Sequence, residues 1–228
     1  MLTRPLAALA AAVLMAGLAG CGDDTGNENT SDSSSTQPTN PDGAPCTYEP
    51  APGASSSVDL PADRAAYDGE VKTTIVTSAG DLHVTLDAKR APCTVNSFTS
   101  LAAQGYYDGT SCHRLTVGDA VAVEVLQCGD PTGTGSGGPG YSYADELSGD
   151  EEYPPGTMAM ANAGPDTNGS QFFFVHGRWA IPSDYTVFGQ VDEDDLKILT
   201  DIAEKGVAGG APEGQPVVPV VIEDITVE

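Results

Sequence analysis

The chain has 228 residues, with 33 acidic and only 9 basic side chains, and its formal net charge at pH 7 is −24. A surface of this sign repels nucleic acid and anionic lipid headgroups, so we expect no nucleic-acid partner. The charge favours either basic partners or, more simply, solubility, and we prefer the second interpretation.

Residues 1–20 predict a secretory signal peptide. They carry one Arg, then an apolar run over residues 6–18, then small residues. The apolar run is too short to span a membrane comfortably. The ending Leu18-Ala19-Gly20-Cys21 resembles the lipobox of bacterial lipoproteins. This resemblance implies a lipid anchor on Cys21 and a location on the extracytoplasmic face of the bacterial cell membrane. A plain signal peptide cut nearby, or a retained anchor helix, are the alternatives.

Residues 21–57 are rich in Ser, Thr, Asn, Asp, Gly and Pro, and they offer almost nothing to a hydrophobic core. This composition predicts a disordered tether. Cys46 and Tyr48 interrupt it and are candidates to dock on the folded part of the chain. Residues 58–228 are long enough to form one domain with a sizeable core.

The cysteines indicate an oxidising compartment. With Cys21 set aside for the lipid, Cys46, Cys93, Cys112 and Cys128 remain, and an even number in an exported protein favours disulfides. Three connectivities are open, and we favour Cys112–Cys128, on neighbouring strands, with Cys46–Cys93 pinning the end of the tether. A zinc site formed by Cys112 and the adjacent His113 is the competing hypothesis. Because the Cys-x-x-Cys spacing of zinc sites is absent, we expect neither a metal nor a cofactor.

Alternating apolar residues and turn signals predict a domain of strands with two helices. A helix over 92–104 begins with a proline and stops at Gly105, and a second over 193–205 has an acidic first turn and stops at Gly206. Many strands, two separate helices and glycine-rich links favour a closed barrel capped by helices. The predicted strands cover 71–77, 82–86, 121–128, 171–175, 186–191, 217–221 and 225–227.

Residues 160–174 are the most informative segment of the chain. Small residues, Gly, Pro and side-chain amides are followed directly by three Phe. An ordinary core strand has no need of this combination. The pattern predicts an irregular loop that leads into a strand and lines a groove. Such a groove suits an extended peptide, which needs its main chain held and one side chain enclosed.

Several blocks, in order along the chain, resemble the cyclophilin family of peptidyl-prolyl cis-trans isomerases. The resemblance covers about residues 71–227 and implies a mainly β fold, a closed eight-stranded antiparallel barrel with a helix at each end. The blocks are residues 94–109, Cys112-His113-Arg114-Leu115, residues 126–135 beginning Leu126-Gln127-Cys128-Gly129-Asp130, residues 160–174, and Tyr185-Thr186-Val187-Phe188-Gly189.

The resemblance also implies an activity and a set of site residues. The catalytic residues would be Arg114 and Gln127. Arg114 would stabilise the twisted amide, and Gln127 would help to position Arg114 and would bind the substrate backbone. The substrates would be X-Pro bonds of unfolded exported proteins, and we expect a monomer. A non-catalytic module that binds Pro-containing peptides is the alternative. The substrate-binding positions would be Val125, Ala161, Asn162, Gln171, Phe173, Ile181 and Tyr185.

Glu124 departs from the family pattern, because it falls where a pocket Phe is usual, next to Val125 in place of a usual Met. A carboxylate there would pair with Arg114 and weaken both the donor and the apolar floor. Alternatively, the long connection between Arg114 and Gln127 turns Glu124 outward and brings Val123 or Val121 inward.

A second departure lies before the closing strand. Ala180 falls where the family has a Trp, and Trp179 is one place away, so its ring is not expected to reach the groove. Tyr185 stands where a His is common. These departures bear on catalytic strength and leave the fold prediction unchanged.

Overall fold

The computed structural model of the protein describes residues 38–228. The predicted signal peptide, Cys21 and the first part of the predicted tether lie outside the described residues. Within the described range, no helix is both long enough and apolar enough to cross a membrane.

The described chain is built mainly from strands. The two α-helices are α1 (Pro92–Ala103) and α2 (Leu196–Lys205), with 3-10 turns at Glu193–Asp195 and Ala208–Gly210. The strands are β1 (Glu49–Pro50), β2 (Glu70–Thr77), β3 (Gly80–Asp87), β4 (Thr110–Ser111), β5 (Arg114–Thr116), β6 (Val123–Cys128), β7 (Tyr141–Ser142), β8 (Thr157–Met160), β9 (Phe172–Trp179), β10 (Val187–Val191), β11 (Glu213–Gly214) and β12 (Val221–Val227).

Ten of these strands form one antiparallel sheet, in the order β11-β5-β6-β9-β8-β10-β3-β2-β12-β4, and β1 pairs with β7. The mainly β architecture with two helices agrees with the prediction. The closed eight-stranded barrel is not confirmed, because the sheet has ten strands and its order ends at β11 and β4.

Burial follows the alternation of the strands. In β3, Leu82, Val84 and Leu86 are buried while the residues between them are at least partly exposed. The strand predicted at 217–221 is wrong. Val217 and Val218 are exposed, and Pro219 has no N–H to give to a ladder. The last strand therefore begins at Val221.

The helices agree closely with their predicted positions. The carboxylate of Glu146 accepts hydrogen bonds from the backbone N–H groups of Cys93 and Thr94, the first turn of α1. Gly206, with φ of 80°, ends α2. The acidic turn predicted as the start of α2 is a 3-10 turn that leads into the helix.

Residues 45–55, which we call the arm, pack on β7, α1 and the glycine-rich loop instead of forming a free tether. β1 pairs with β7, and Ser55 donates its backbone N–H to the Gly138 carbonyl at 2.9 Å. A disulfide joins Cys46 to Cys93, as predicted. The predicted tether boundary at residue 57 is therefore too late in the chain.

Tyr48 explains why composition alone misplaced this boundary. Its ring packs edge-on against Tyr141 and Tyr143, with centroids 5.4 and 5.6 Å away, and its hydroxyl donates to the Cys93 carbonyl at 2.9 Å. One ring and one disulfide order a segment that is otherwise polar and rich in proline.

The second predicted disulfide, Cys112–Cys128, is also present. Cys112 lies between β4 and β5, and Cys128 ends β6, so the bond ties together the strands that carry the predicted catalytic residues. Because its sulfur is bonded to Cys128, Cys112 has no thiolate to offer zinc.

Candidate active site

Four residues from four neighbouring strands form one cross-strand row. Arg114 of β5 lies opposite Gln127 of β6, Gln127 lies opposite Phe173 of β9, and Phe173 lies opposite Ala159 of β8. Residues directly opposite one another point to the same face of a sheet. Since neighbouring strands are about 4.8 Å apart, the backbones of Arg114 and Phe173 are about 10 Å apart. The row therefore brings a cation, an amide and an aromatic ring to one face.

The three consecutive Phe divide between the two faces of β9. Phe172 and Phe174 belong to the main core, together with residues such as Phe98 and Phe188. Phe173 belongs to a second, smaller cluster on the other face. Because side chains alternate along a strand, only the middle ring of the run reaches the groove.

That second cluster, which we call the apolar pocket, gathers most of the predicted substrate-binding side chains. The ring of Tyr185 meets that of Phe173 edge-on at 5.6 Å. Tyr153 is fully buried beneath Trp179 and Tyr185, with ring centroids about 6 Å away, and sequence reasoning missed it. The pocket's buried members are Val125, Tyr153, Ala159, Phe173 and Val175, and its partly buried members are Val123, Ala161, Trp179, Ile181, Tyr185 and Val187.

Glu124 lies outside the apolar pocket, as the second of our two hypotheses requires. Its carboxylate accepts backbone N–H groups of Gly118 and Arg178, each at 2.8 Å. The bond from Arg178 outweighs partial burial and, with that from Gly118, holds the pKa of Glu124 below its usual value. Val123 packs on the pocket in its place.

Trp179 corrects a prediction. The ring was not expected to reach the groove, yet it packs on the apolar pocket while Ala180 is exposed. Alternation along β9 explains the difference, because the strand continues to Trp179, which shares one face with Phe173 and Val175. The pairing of β6 with β9 shifts by two residues of β9 between Val123 and Val125, which places Trp179 opposite Val123 and leaves this face unchanged.

Beside the pocket, three polar side chains form a chain of hydrogen bonds that we call the amide relay. Arg114 Nη1 donates to Gln127 Oε1 at 3.0 Å, and Gln127 Nε2 donates to Gln171 Oε1 at 2.9 Å. Gln171 Nε2 then donates to the carbonyls of Gly135 and Gly137. Each amide has a fixed orientation because both of its ends are used.

Asp130 holds the glycine-rich loop on which the relay ends. Its buried carboxylate accepts the backbone N–H groups of Thr132, Gly135 and Gly137. Burial acts to raise the pKa of Asp130, but a hydrogen bond from the Thr132 hydroxyl together with these backbone bonds outweighs it and holds the pKa below its usual value. Gly137 cannot be replaced easily, because a Cβ there would collide with the Asp130 carboxylate.

Arg114 has a second partner that the sequence did not indicate. Its Nε donates to Glu213 Oε1 at 2.8 Å, from the short strand β11 beside β5. Nothing local marks Glu213 among the 33 acidic residues, since its role depends on strand pairing across 99 residues of sequence.

His113, the neighbour of Arg114, does not join the relay. Neither ring nitrogen has a hydrogen-bond partner among the described residues, and a Cβ added at Gly135 would lie 3.7 Å from its ring. Burial lowers the pKa of His113, so the ring is neutral at pH 7 and serves as packing.

A cavity of 620 Å³ continues the groove beyond the relay. Asn162 fixes one of its loops, donating its side-chain Nδ2 to the Asp184 carbonyl at 2.9 Å. The arm supplies another wall. The cavity shares Gln127, Ala161, Asn162 and Gln171 with the predicted site, and its arm residues are Pro50, Ala51 and Pro52.

Comparison with known proteins agrees with this geometry. Residues 72–227 match the family model described as "Cyclophilin type peptidyl-prolyl cis-trans isomerase/CLD". The chain is 45% identical over 201 residues to a probable peptidyl-prolyl cis-trans isomerase B of Mycobacterium tuberculosis, covering 82% of this chain and 65% of that relative. A Mycobacterium leprae relative of the same description is 42% identical over 207 residues, covering 84% of this chain and 70% of the relative.

Two solved structures are also similar. Both are crystal structures of a cyclophilin type peptidyl-prolyl cis-trans isomerase of Cryptosporidium parvum, one of them in the presence of the dipeptide Ala-Pro. Each is 30% identical to this chain, with TM-scores of 0.59 and 0.58, and covers 70% and 69% of this chain and 98% of its own. By its family model, its relatives and its fold, the chain belongs to the cyclophilin family.

Proposed function

We propose that the protein is a peptidyl-prolyl cis-trans isomerase in which Arg114 stabilises the twisted X-Pro amide. The observation that supports this best is the cross-strand row, in which the backbones of Arg114 and Phe173 lie about 10 Å apart and their side chains point to one face. A proline ring in the apolar pocket would bring its imide nitrogen toward Arg114. Gln127 and the backbone of the Ala161 loop would hold the rest of the peptide.

The reaction requires no bond cleavage. Resonance gives the planar amide a barrier of roughly 18–20 kcal/mol to rotation. In the twisted state resonance is lost, and the nitrogen gains a lone pair that can accept a hydrogen bond. A fixed cationic donor next to that nitrogen therefore stabilises the twisted state more than the planar states, which lowers the barrier.

Arg114 has donors available for this role. A guanidinium carries five N–H groups. In the described part of the chain, one goes to Glu213 and one to Gln127, which leaves three, including both on Nη2. The acidic neighbour thus leaves the guanidinium able to donate to a ligand.

The cavity beside the relay would take the peptide beyond its X-Pro pair. None of the residues that line it within the described range 38–228 is charged, and its walls offer amides, hydroxyls and glycine backbone together with the prolines of the arm. Uncharged peptide segments should be preferred there, since burying a charge without a partner is unfavourable.

An isomerisation assay on short X-Pro peptides tests the proposed activity. The wild-type protein should accelerate isomerisation. Arg114→Ala should lower kcat/KM about 10- to 100-fold, since a hydrogen bond from a charged group contributes roughly 1.5–3 kcal/mol. Lys197→Ala is the matched control, because it removes one positive charge from an exposed position of α2. If the wild-type protein bound the peptides without accelerating them, the non-catalytic binding module would be the better description.

We also propose that the protein acts on unfolded exported proteins at the cell surface, held there by a lipid on Cys21. The lipobox-like sequence and the two disulfides support this location, since such bonds persist in oxidising compartments. Metabolic labelling with a fatty-acid probe tests it. Wild-type protein should be labelled and fractionate with membranes, and Cys21→Ala should do neither. Equal labelling of both proteins would contradict the anchor.

A further inference from the structure

We propose that Glu213 is a positioning residue for Arg114, and this inference rests on the proposed function. Its carboxylate fixes the plane of the guanidinium, so that the remaining N–H groups of Arg114 face the groove. Glu213 would contact no substrate and would act only through Arg114.

The geometry holds the guanidinium at two different nitrogens. Glu213 accepts from Nε at 2.8 Å, and Gln127 accepts from Nη1 at 3.0 Å. One such bond would let the planar group rotate about the bonds of its side chain. Two bonds from Arg114, one to a partner on β11 and one to a partner on β6, remove that freedom.

The backbone makes Glu213 a fixed partner. Glu213 lies opposite Thr116 in the pairing of β11 with β5, and Gly214 lies opposite Leu115. The Val117 N–H also donates to the Pro212 carbonyl at 2.8 Å. The backbone that carries Glu213 is thus hydrogen-bonded to the strand that carries Arg114. Small movements of the sheet therefore move both residues together.

The orientation of the Arg114 guanidinium has to be fixed by hydrogen bonds, because its side chain is 35% exposed and is not held in place by packing alone. An arginine side chain has many rotamers, and a free guanidinium would lose this freedom only on meeting the twisted amide. Ordering it beforehand moves that loss out of the transition state.

A carboxylate beside the catalytic cation also has an opposing effect, since it weakens the positive potential. Two observations make positioning the larger effect. The Glu213 side chain is 54% exposed, so water screens its charge. The imide nitrogen carries only a partial charge, so what it needs most from Arg114 is an aligned N–H group.

The same exposure predicts that the pair adds little to folding. Ion pairs between exposed side chains typically contribute very little to stability, because water screens them and both side chains lose freedom. A loss of activity on removing Glu213 should therefore not be accompanied by loss of the fold.

The experiment compares Glu213→Ala with Glu213→Gln in the full chain. The amide Oε1 of Gln can still accept from Arg114 Nε, whereas Ala cannot. Glu213→Ala should lower kcat about three- to ten-fold with little change in KM, since mispositioning affects mainly the transition state. Glu213→Gln should restore kcat to within about two-fold of wild type. Glu193→Ala, at an exposed acidic position in the 3-10 turn, is the control.

Three outcomes would overturn the proposal. Glu213→Ala could be as active as wild type. Glu213→Gln could lose as much as Glu213→Ala, which would assign the effect to charge. Glu213→Gln could exceed wild type, which would make Glu213 an attenuator of Arg114.

NMR of the Arg114 Nε–H group gives a readout that does not depend on catalysis. The signal should be ordered in wild type and Glu213→Gln, and mobile in Glu213→Ala. A wild-type protein without isomerase activity would refute the proposed function. An Nε–H signal equally ordered in Glu213→Ala would refute the positioning role alone.

Discussion

The apolar pocket and the amide relay share one face of the same strands, yet they are held in place by different means. The pocket's buried members come mainly from the alternating residues of β6, β8 and β9, and they contact one another directly. The relay ends depend on groups far away in sequence, Glu213 at one end and the Asp130 loop at the other. Hydrophobic contact has no preferred direction, whereas a hydrogen bond does. The pocket should therefore tolerate exchange of side chains far better than the relay.

The largest expected effect comes from removing the central ring of the pocket. Phe173→Ala should lower the free energy of unfolding by about 3–4 kcal/mol, because Phe173 is buried and leaves a cavity. Phe173→Leu should lose much less, about 1–1.5 kcal/mol, since an apolar side chain still fills most of the space. Urea denaturation measures both. Equal losses in the two variants would contradict the tolerance that we assign to the pocket.

A smaller loss should follow from a near-isosteric change at the far end of the relay. Asp130→Asn replaces an acceptor oxygen by an NH2 group that faces backbone N–H groups of the glycine-rich loop. We expect a loss of about 2–3 kcal/mol in the free energy of unfolding, as for buried donors left unpaired. Isomerase activity should fall too, because Gln171 bonds to this loop. Asp68→Asn, at an exposed position, is the control. Unchanged stability would show that the relay is as tolerant as the pocket.

The smallest effect concerns Glu124, the carboxylate that lies outside the apolar pocket and accepts backbone N–H groups of Gly118 and Arg178. Its pKa in the folded protein lies below the ordinary value of 4.5. Its contribution to stability is therefore complete above pH 4.5 and is lost as the pH falls through the lowered pKa. Urea midpoints of wild type and Glu124→Gln should differ by a constant amount from pH 5 to 7, and the difference should shrink at more acidic pH. A difference that widened in acid would contradict this assignment.

The sequence predicts residues of both the pocket and the relay, but it does not predict what holds the ends of the relay. The resemblance to cyclophilins names Phe173 and Val125, and the structure gathers them with Ile181 and Tyr185. It also names all three side chains of the relay. Glu213 could not be predicted, because its partner is set by strand pairing and not by its neighbours in sequence. Trp179 was misplaced because the predicted strand ends at residue 175, whereas β9 continues to Trp179 and keeps it on the face of Phe173.

The fold shows the same division. Strands and helices with regular apolar spacing were predicted within a few residues, as for α1 and β2. The docking of Cys46 and Tyr48 was predicted, but the packing of the whole arm was not, because composition describes an average whereas these two residues act as individual anchors. The short strands β4, β5 and β11 lack a pattern of their own and exist only through their partners.

The run Phe172–Phe174 has a consequence for how β9 finds its alignment with its neighbours. If the strand slipped by one residue during folding, a phenyl ring would still enter the pocket and another would still enter the core, so the rings discriminate poorly between alignments. The slip would instead drive Gln171 into the interior and strip its amide of every partner, which is strongly unfavourable. The side chain that disfavours the misaligned strand is thus the polar Gln171. Its hydrogen bonds at the groove favour the correct register of the sheet.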